Sequence, residues 1–155
     1  MEFPDLSALE NNKQSISFHV EEIDFVFEET DKAILWLNRI AEQESKGIVS
    51  LDYVFCSDEY LHKINVEYLN HDTYTDIITF DLGEPTDDAI SGEIYISIDR
   101  VKENAQIHGS QYKDELLRVV AHGLLHLIGY PDKSEQEALV MRGKEEDALR
   151  TYKEL

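Results

Sequence analysis

Two histidines in the C-terminal third of the chain are spaced so that both can bind one metal ion. His122 and His126 stand four residues apart, and at that spacing two residues of a helix lie on one face, about one turn apart. Gly129 can adopt the left-handed conformation that ends a helix, so the chain can turn back and bring Asp132 to the same ion. Three protein ligands with an open fourth position are typical of a catalytic zinc site. The spacing predicts a metal site formed by His122, His126 and Asp132.

A simpler interpretation is that the two histidines are ordinary packed or exposed side chains. The segment 114–127 that carries them is apolar around much of its circumference, which predicts a largely buried helix. Imidazoles on a buried helix need polar partners. The glycine and the carboxylate that follow the pair supply both a turn and a partner. These features favour the metal site over two histidines in a core.

The residue that directly follows the first histidine argues against a zinc peptidase. Peptidase helices with the motif His-Glu-x-x-His use the glutamate as general base. Gly123 stands at that position and cannot move a proton. Glu115, on the same helical face as His122, could replace the glutamate as base in principle, but it lies about two turns upstream. A zinc peptidase or amidohydrolase is therefore the less favoured enzyme class.

Hydrophobic periodicity predicts the elements that position this site. Alternating or β-branched runs indicate strands, and apolar residues at helical spacing indicate helices. The predicted strands are 15–20, 49–55, 76–81 and 92–97. The predicted helices are 30–43, a second helix between the second and third strands, 98–105, 114–127 and 134 to about 152. This order predicts an α+β fold, in which a small mixed sheet of about four strands is packed by about five helices and the zinc-site helix lies near the C-terminus.

Capping residues mark two of the helix starts. Ser57 or Asp58 can begin the second helix, whose buried face would carry Leu61, Ile64 and Tyr68. Ser134, followed three residues later by a glutamate, fits the capping box that begins the last helix.

The composition predicts a single domain spanning residues 1–155, with a short N-terminal tail at about 1–13. The sequence has neither an apolar stretch long enough for a membrane nor the pattern of a secretory signal, and its one cysteine, Cys56, fits a reducing compartment. We therefore expect a cytoplasmic protein in which Cys56 is packed.

The net charge of −19 argues against RNA binding over the general surface, although it is compatible with a local basic groove.

Three sequence blocks resemble the YbeY family of metal-dependent endoribonucleases. The most specific block, 122–130, reads His-Gly-x-Leu-His-Leu-x-Gly-Tyr. The second block is Ile-Asn-Val-Glu-Tyr at 64–68, followed by Asp72 and by Thr-Asp-Ile-Ile-Thr-Phe at 75–80. The third block, Gly-Glu-Ile-Tyr-Ile-Ser, occupies 92–97. Their order and spacing agree with the family from about residue 53 to the last helix.

The resemblance implies one catalytic zinc ion per chain and cleavage of single-stranded RNA, in small-subunit rRNA 3′-end processing and ribosome quality control. The implied partners are rRNA and ribosomal or small-subunit proteins, with no membrane; the oligomeric state is not predicted. His122 and His126 match the first two ligands of the family. The usual third ligand is a histidine, and Asp132 stands at that position here. Carboxylates are ordinary zinc ligands, so we predict a His₂Asp site whose bound water is less acidic than in an all-histidine site.

The second departure from the family pattern is Leu69, where the family usually has an arginine after the tyrosine of the second block. Lys133 or Arg118 could supply the missing charge. Thr75, Asp76 and Lys133 are the predicted groove residues, and the competing interpretation of Thr75 and Asp76 is a capped strand entrance. The general base is not identified.

An alternative function is a non-catalytic, ribosome-associated binding module in which zinc only attaches the last helix to the sheet. The leucine in place of the family arginine and the acidic surface favour this module. The open three-ligand site favours an enzyme.

Overall fold

The computed structural model describes residues 15–84 and 88–155, and the predicted N-terminal tail lies outside these ranges. The elements, in chain order, are β1 Ile16–Glu21, α1 Thr30–Gln43, β2 Gly47–Cys56, α2 Asp58–Leu69, β3 Ile77–Asp81, β4 Ala89–Ser97, α3 Ile98–His108, α4 Tyr112–Ile128 and α5 Glu135–Glu154. The predicted α+β fold, a four-stranded mixed sheet with five helices, is confirmed.

The sheet has the strand order β1-β2-β4-β3. β1 and β4 both run parallel to β2, and β3 runs antiparallel to β4. This order makes β4 an interior strand, and its side chains Ile94 and Ile96 are fully buried. The segment that precedes β3 therefore enters the sheet at its edge, next to the helix α4 that packs on β3 and β4.

Buried hydrogen bonds fix α4 and α5 against the rest of the core. The hydroxyl of Tyr53 on β2 donates to the carbonyl of Val120 on α4, over 2.7 Å. The indole nitrogen of Trp36 on α1 donates to the carbonyl of Ala148 on α5, also over 2.7 Å. Both aromatic side chains are fully buried, so each polar atom needs such a partner. The two helices that face each other at the site are thereby held in one arrangement.

Both predicted helix starts are confirmed. Ser57 is the N-cap of α2 and accepts a hydrogen bond from the backbone of Tyr60. Ser134 and Glu137 form the reciprocal capping box at the start of α5. The prediction that Tyr68 is buried was wrong, because its side chain is 69% exposed. It lies in the last turn of α2, where its ring meets the edge of Phe80, with ring centroids 6.3 Å apart.

Strand β4 begins at Ala89, three residues earlier than predicted, because its first residues pair with the start of β2.

Cys56 is fully buried. Burial, and secondly the negative charge of Asp58, raise the pKa of its thiol to about 12. The prediction of a packed cysteine is therefore confirmed. Among the residues that the structure describes, no helix is both long and apolar enough to cross a membrane.

Gly123 is required by the close approach of α4 to the sheet. A Cβ atom at this position would lie 2.8 Å from Cδ1 and from Cγ2 of Ile94, and 3.2 Å from Cδ1 of Ile77. A side chain at residue 123 would therefore project into the core rather than towards the histidines. The same packing that needs the glycine excludes a peptidase-type glutamate there.

We expect Gly123→Ala to lower the free energy of unfolding by about 1–3 kcal/mol, because the methyl group overpacks a closed interface. Gly143→Ala on α5 is the matched control, since a Cβ there meets nothing within 4 Å. That control should stabilise the protein by about 0.5–1 kcal/mol, the helix-propensity difference between the two residues. Urea denaturation followed by circular dichroism measures both. Equal stability of the two variants would contradict the packing role of Gly123.

Candidate metal centre

The three predicted ligands converge at the C-terminal end of α4. The Nε2 atoms of His122 and His126 lie 3.4 and 3.5 Å from a single oxygen, Oδ2 of Asp132, and the three ligand atoms all lie within 4.8 Å of one another. The nitrogen–oxygen separations are longer than good hydrogen bonds. They match the edge of a tetrahedron, about 3.3–3.6 Å, around an ion with metal–ligand bonds of about 2.0–2.2 Å. The donor set therefore fits a divalent metal ion.

The turn that delivers Asp132 is the one that the sequence predicts. Gly129 has φ 125° and ψ 13°, a conformation that residues with side chains rarely adopt. Its amide donates to the carbonyls of Leu125 and His126, and the next amide, that of Tyr130, donates to Leu125 as well. These bonds close the last turn of α4 and send the chain back across the histidines.

Both imidazoles are held through Nδ1, which leaves Nε2 for the ion. Nδ1 of His126 lies 2.9 Å from the carbonyl oxygen of Tyr130. A carbonyl can only accept, so this nitrogen carries the proton. Nδ1 of His122 lies 2.6 Å from Oε2 of Glu145 on α5. Such outer contacts fix the tautomer and the ring orientation of metal-binding histidines.

Glu145 is the centre of a buried charge network that sequence reasoning missed. Besides His122, it accepts a bond of 3.0 Å from Arg118, whose guanidinium also pairs with Glu115. Burial opposes ionisation of Glu145, but the hydrogen bonds from His122 and Arg118 outweigh it and lower the pKa of this carboxyl. Glu145 is therefore an ionised acceptor for the Nδ1 proton of His122.

The same network argues against two functional roles that the sequence suggested, a general base and a replacement for the family arginine. Glu115 is 2% exposed and engaged by Arg118, and it does not line the cleft beside the histidines. It is not placed to act as a general base. Arg118 lines the cleft, but its charge is already shared by two carboxylates. It is therefore not a free substitute for the family arginine.

The ligands lie in an open cleft of about 450 Å³ between α4, α5 and the start of β3. Two predicted groove residues, Thr75 and Asp76, line this cleft. Beyond Asp132 a second cavity of about 540 Å³ follows β3, and its lining includes Leu69 and the third predicted groove residue, Lys133. The position of the missing family arginine therefore borders the cavity next to the metal site.

The two residues at the entrance to β3 also have structural roles. The Thr75 hydroxyl donates to the carbonyl of Ile77, over 3.4 Å, and the Asp76 carbonyl accepts the amide of Ser97. The Asp76 carboxylate, in contrast, has no hydrogen-bond or ion-pair partner within the described ranges. It is a free acid in the cleft that holds the histidines.

Helix α5 contributes a whole side of the cleft. Its lining residues follow helical spacing and are Ala138, Met141, Arg142 and Glu145. The sequence could have indicated these residues, because they share one face of a capped amphipathic helix and two of them are charged. The spacing does not show which other element that face contacts.

The fold and the site define a class of protein: an α+β domain in which two C-terminal helices enclose a three-ligand metal-type site open to a cleft. The family described as Endoribonuclease YbeY matches residues 9–153. The chain therefore belongs to the endoribonuclease YbeY family, as its sequence blocks predicted.

Two bacterial relatives and one solved structure show the extent of the similarity. The chain is 50% identical to the endoribonuclease YbeY of Cytophaga hutchinsonii over 137 residues, which are 88% of this chain and 95% of that one. It is 45% identical to that of Christiangramia forsetii, over 90% of this chain and 96% of the other. The solution structure of a Thermotoga maritima protein matches with a TM-score of 0.60 and 26% identity, covering 87% of this chain and 88% of that one.

Proposed function

We propose that this chain is a zinc-dependent endoribonuclease that cuts single-stranded RNA in the cytoplasm. Its proposed role is maturation of ribosomal RNA, including the 3′ end of the small-subunit rRNA, and ribosome quality control, with ribosomal proteins as partners. Family membership supports the enzyme class. The observation that carries the proposal is the convergence of His122, His126 and Asp132 in a cleft large enough for a phosphodiester.

Zinc is the proposed ion because two imidazoles and one carboxylate at tetrahedral spacing are ligands that this metal commonly takes. When bound, the ion supplies a Lewis acid that stabilises negative charge developing on the phosphate. The chain holds the site ready through two outer contacts. Glu145 and the Tyr130 carbonyl fix the two imidazoles, and Gly129 places the carboxylate.

Asp76 is the proposed general base, and it would take the proton of the attacking water. It lines the metal cleft, is partly exposed and has a carboxylate that no other described residue engages. Glu145 is the other acid of the cleft that is not a proposed ligand, and its carboxylate is already hydrogen-bonded to His122 and Arg118.

We expect Asp76→Asn to lower kcat for a single-stranded RNA oligonucleotide by about two orders of magnitude or more, with little change in KM, since general bases contribute about 10²–10⁴ in rate. Asp31→Asn, an exposed carboxylate of α1 outside the cleft, is the charge-matched control and should leave kcat unchanged. Steady-state cleavage of a labelled oligonucleotide by the zinc-loaded protein measures both. A kcat for Asp76→Asn equal to that of the control would exclude Asp76 as the base.

The same assay distinguishes the enzyme from the non-catalytic module. The enzyme requires cleavage that disappears on chelation and returns on adding zinc. The module requires no cleavage by the zinc-loaded protein, together with a large fall in thermal stability on chelation.

A further inference from the structure

Unpaired cations are scarce on the described surface of this acidic chain. Most described lysines and arginines form ion pairs, such as Lys144 with Glu44, or lie over an aromatic ring, such as Lys32 on Tyr152. Within residues 15–84 and 88–155 four exposed or partly exposed cations have neither an ion pair within 4.0 Å nor a ring contact: Arg39, Lys63, Lys133 and Arg142. In a chain with a net charge of −19, a cation left unpaired is the exception.

Two of these four cations line cavities that meet at the candidate ligands, one in each cavity. Arg142, on α5, lines the cavity that also contains His122 and Asp76. Lys133 directly follows Asp132 and lines the second cavity along β3. Asp132 and His126 line both cavities, so the two cavities adjoin at these candidate ligands.

The backbone at Lys133 is anchored to the start of α5. Its amide donates to the carboxylate of Glu137, over 3.1 Å, as part of the capped start of α5. Arg142 lies on α5 itself, about two turns from its start. Helix α5 thus carries Arg142 and Glu145, and the backbone of Lys133 is tied to its first turn.

We infer that Arg142 and Lys133 bind the backbone phosphates on either side of the phosphodiester that is cut. This inference rests on the proposed endoribonuclease function. A single strand laid across the metal ligands passes Arg142 on one side and Lys133 on the other, and a phosphate is the group that an unpaired cation there would bind. Lys133 borders the same cavity as Leu69 and so supplies positive charge where the family arginine is missing.

The test compares Arg142→Gln and Lys133→Gln with Arg39→Gln and Lys63→Gln, which remove cations of the same type outside both cavities. For a short single-stranded RNA, each cleft variant should raise KM about three- to fivefold with kcat unchanged, as expected for one exposed charge contact. Each should also reduce the slope of log affinity against log salt by about 0.7, one phosphate contact on a single strand. The two controls should match wild type. Cleft variants that are no more affected than the controls would overturn the inference.

A dinucleoside monophosphate separates this inference from the proposed function. It contains only the phosphodiester that is cut, so both cleft variants should cleave it as wild type does. A trinucleotide has two phosphodiesters, and cutting either one leaves the other on one side of it. Cleavage at each bond should therefore be sensitive to one of the two substitutions, a different one for each bond. If wild type cuts RNA but the variants lose as much activity on the dinucleotide as on the longer strand, the flanking contacts are disproved and the nuclease function stands. If zinc-loaded wild type cuts no RNA, the proposed nuclease function itself is disproved.

Discussion

The His126→Ala variant is expected to contain no zinc and to lose RNA cleavage by about three orders of magnitude or more, while remaining folded. Removing one of three protein ligands leaves His122 and Asp132, too few for a stable site. Loss of the ion withdraws charge stabilisation worth several kcal/mol at the phosphate, and about 4 kcal/mol corresponds to a factor of 10³. The fold should persist because the side chain of His126 is 27% exposed and, within the described part of the chain, its one side-chain hydrogen bond is to the Tyr130 carbonyl.

His108→Ala is the matched control for this experiment. His108 is an exposed histidine in the last turn of α3, outside both cavities. Elemental analysis of protein purified without added metal should find about one zinc per chain in wild type and in the control, and none in His126→Ala. Thermal unfolding monitors the fold. Zinc retained at wild-type content by His126→Ala would disprove the proposed ligand set, and so would cleavage that survives without the ion.

The convergence of the three candidate ligands could be predicted from the sequence because their geometry is local. The four-residue spacing places His122 and His126 on one face of the helix. The glycine turn then brings Oδ2 of Asp132 to 3.4 and 3.5 Å from their Nε2 atoms. The two capped helix starts are local in the same sense. Each depends on a side chain and a backbone amide no more than three residues apart.

What could not be predicted depends on how separate elements meet. Glu115 and His122 share a helical face, but α5 places Glu145 against that face and Arg118 joins the two acids. Nothing in the sequence of α4 shows which residue of α5 will face it. Tyr68 continues the apolar spacing of Leu61 and Ile64, yet it lies in the last turn of α2 and is exposed. Burial is a property of the neighbouring element as much as of the helix itself.

The Glu145→Gln variant should lower the free energy of unfolding of the metal-free protein by about 2–3 kcal/mol. Glu145 is nearly fully buried and accepts from Arg118 and from Nδ1 of His122. Glutamine has one acceptor and one donor in the same space, so its amide nitrogen must face one of these two donors. Breaking a buried ion pair costs about 3–5 kcal/mol. A smaller loss of stability is expected here, because Arg118 is 22% exposed and keeps its pairing with Glu115.

The destabilisation should depend on pH in a direction set by the lowered pKa of Glu145. A carboxyl whose pKa is depressed by folding stabilises the protein above its ordinary pKa of 4.5, and that contribution is lost as the pH falls through the lower folded value. The difference between wild type and Glu145→Gln is therefore full at neutral pH and shrinks below pH 4.5. Glu146→Gln, the exposed neighbour on the same helix, should show almost no difference at any pH.

The same variant should weaken zinc binding about 10–100-fold, the usual effect of removing an outer partner of a metal-binding histidine. Competition with a chromophoric chelator measures this affinity, and it distinguishes a positioning role for Glu145 from a purely structural one. The visible spectrum of the cobalt-substituted protein should also change, because the imidazole of His122 is no longer held in one orientation. Glu146→Gln should bind zinc as wild type does. If Glu145→Gln is destabilised but binds zinc with unchanged affinity, the Glu145 carboxylate supports the helix pair and does not orient His122.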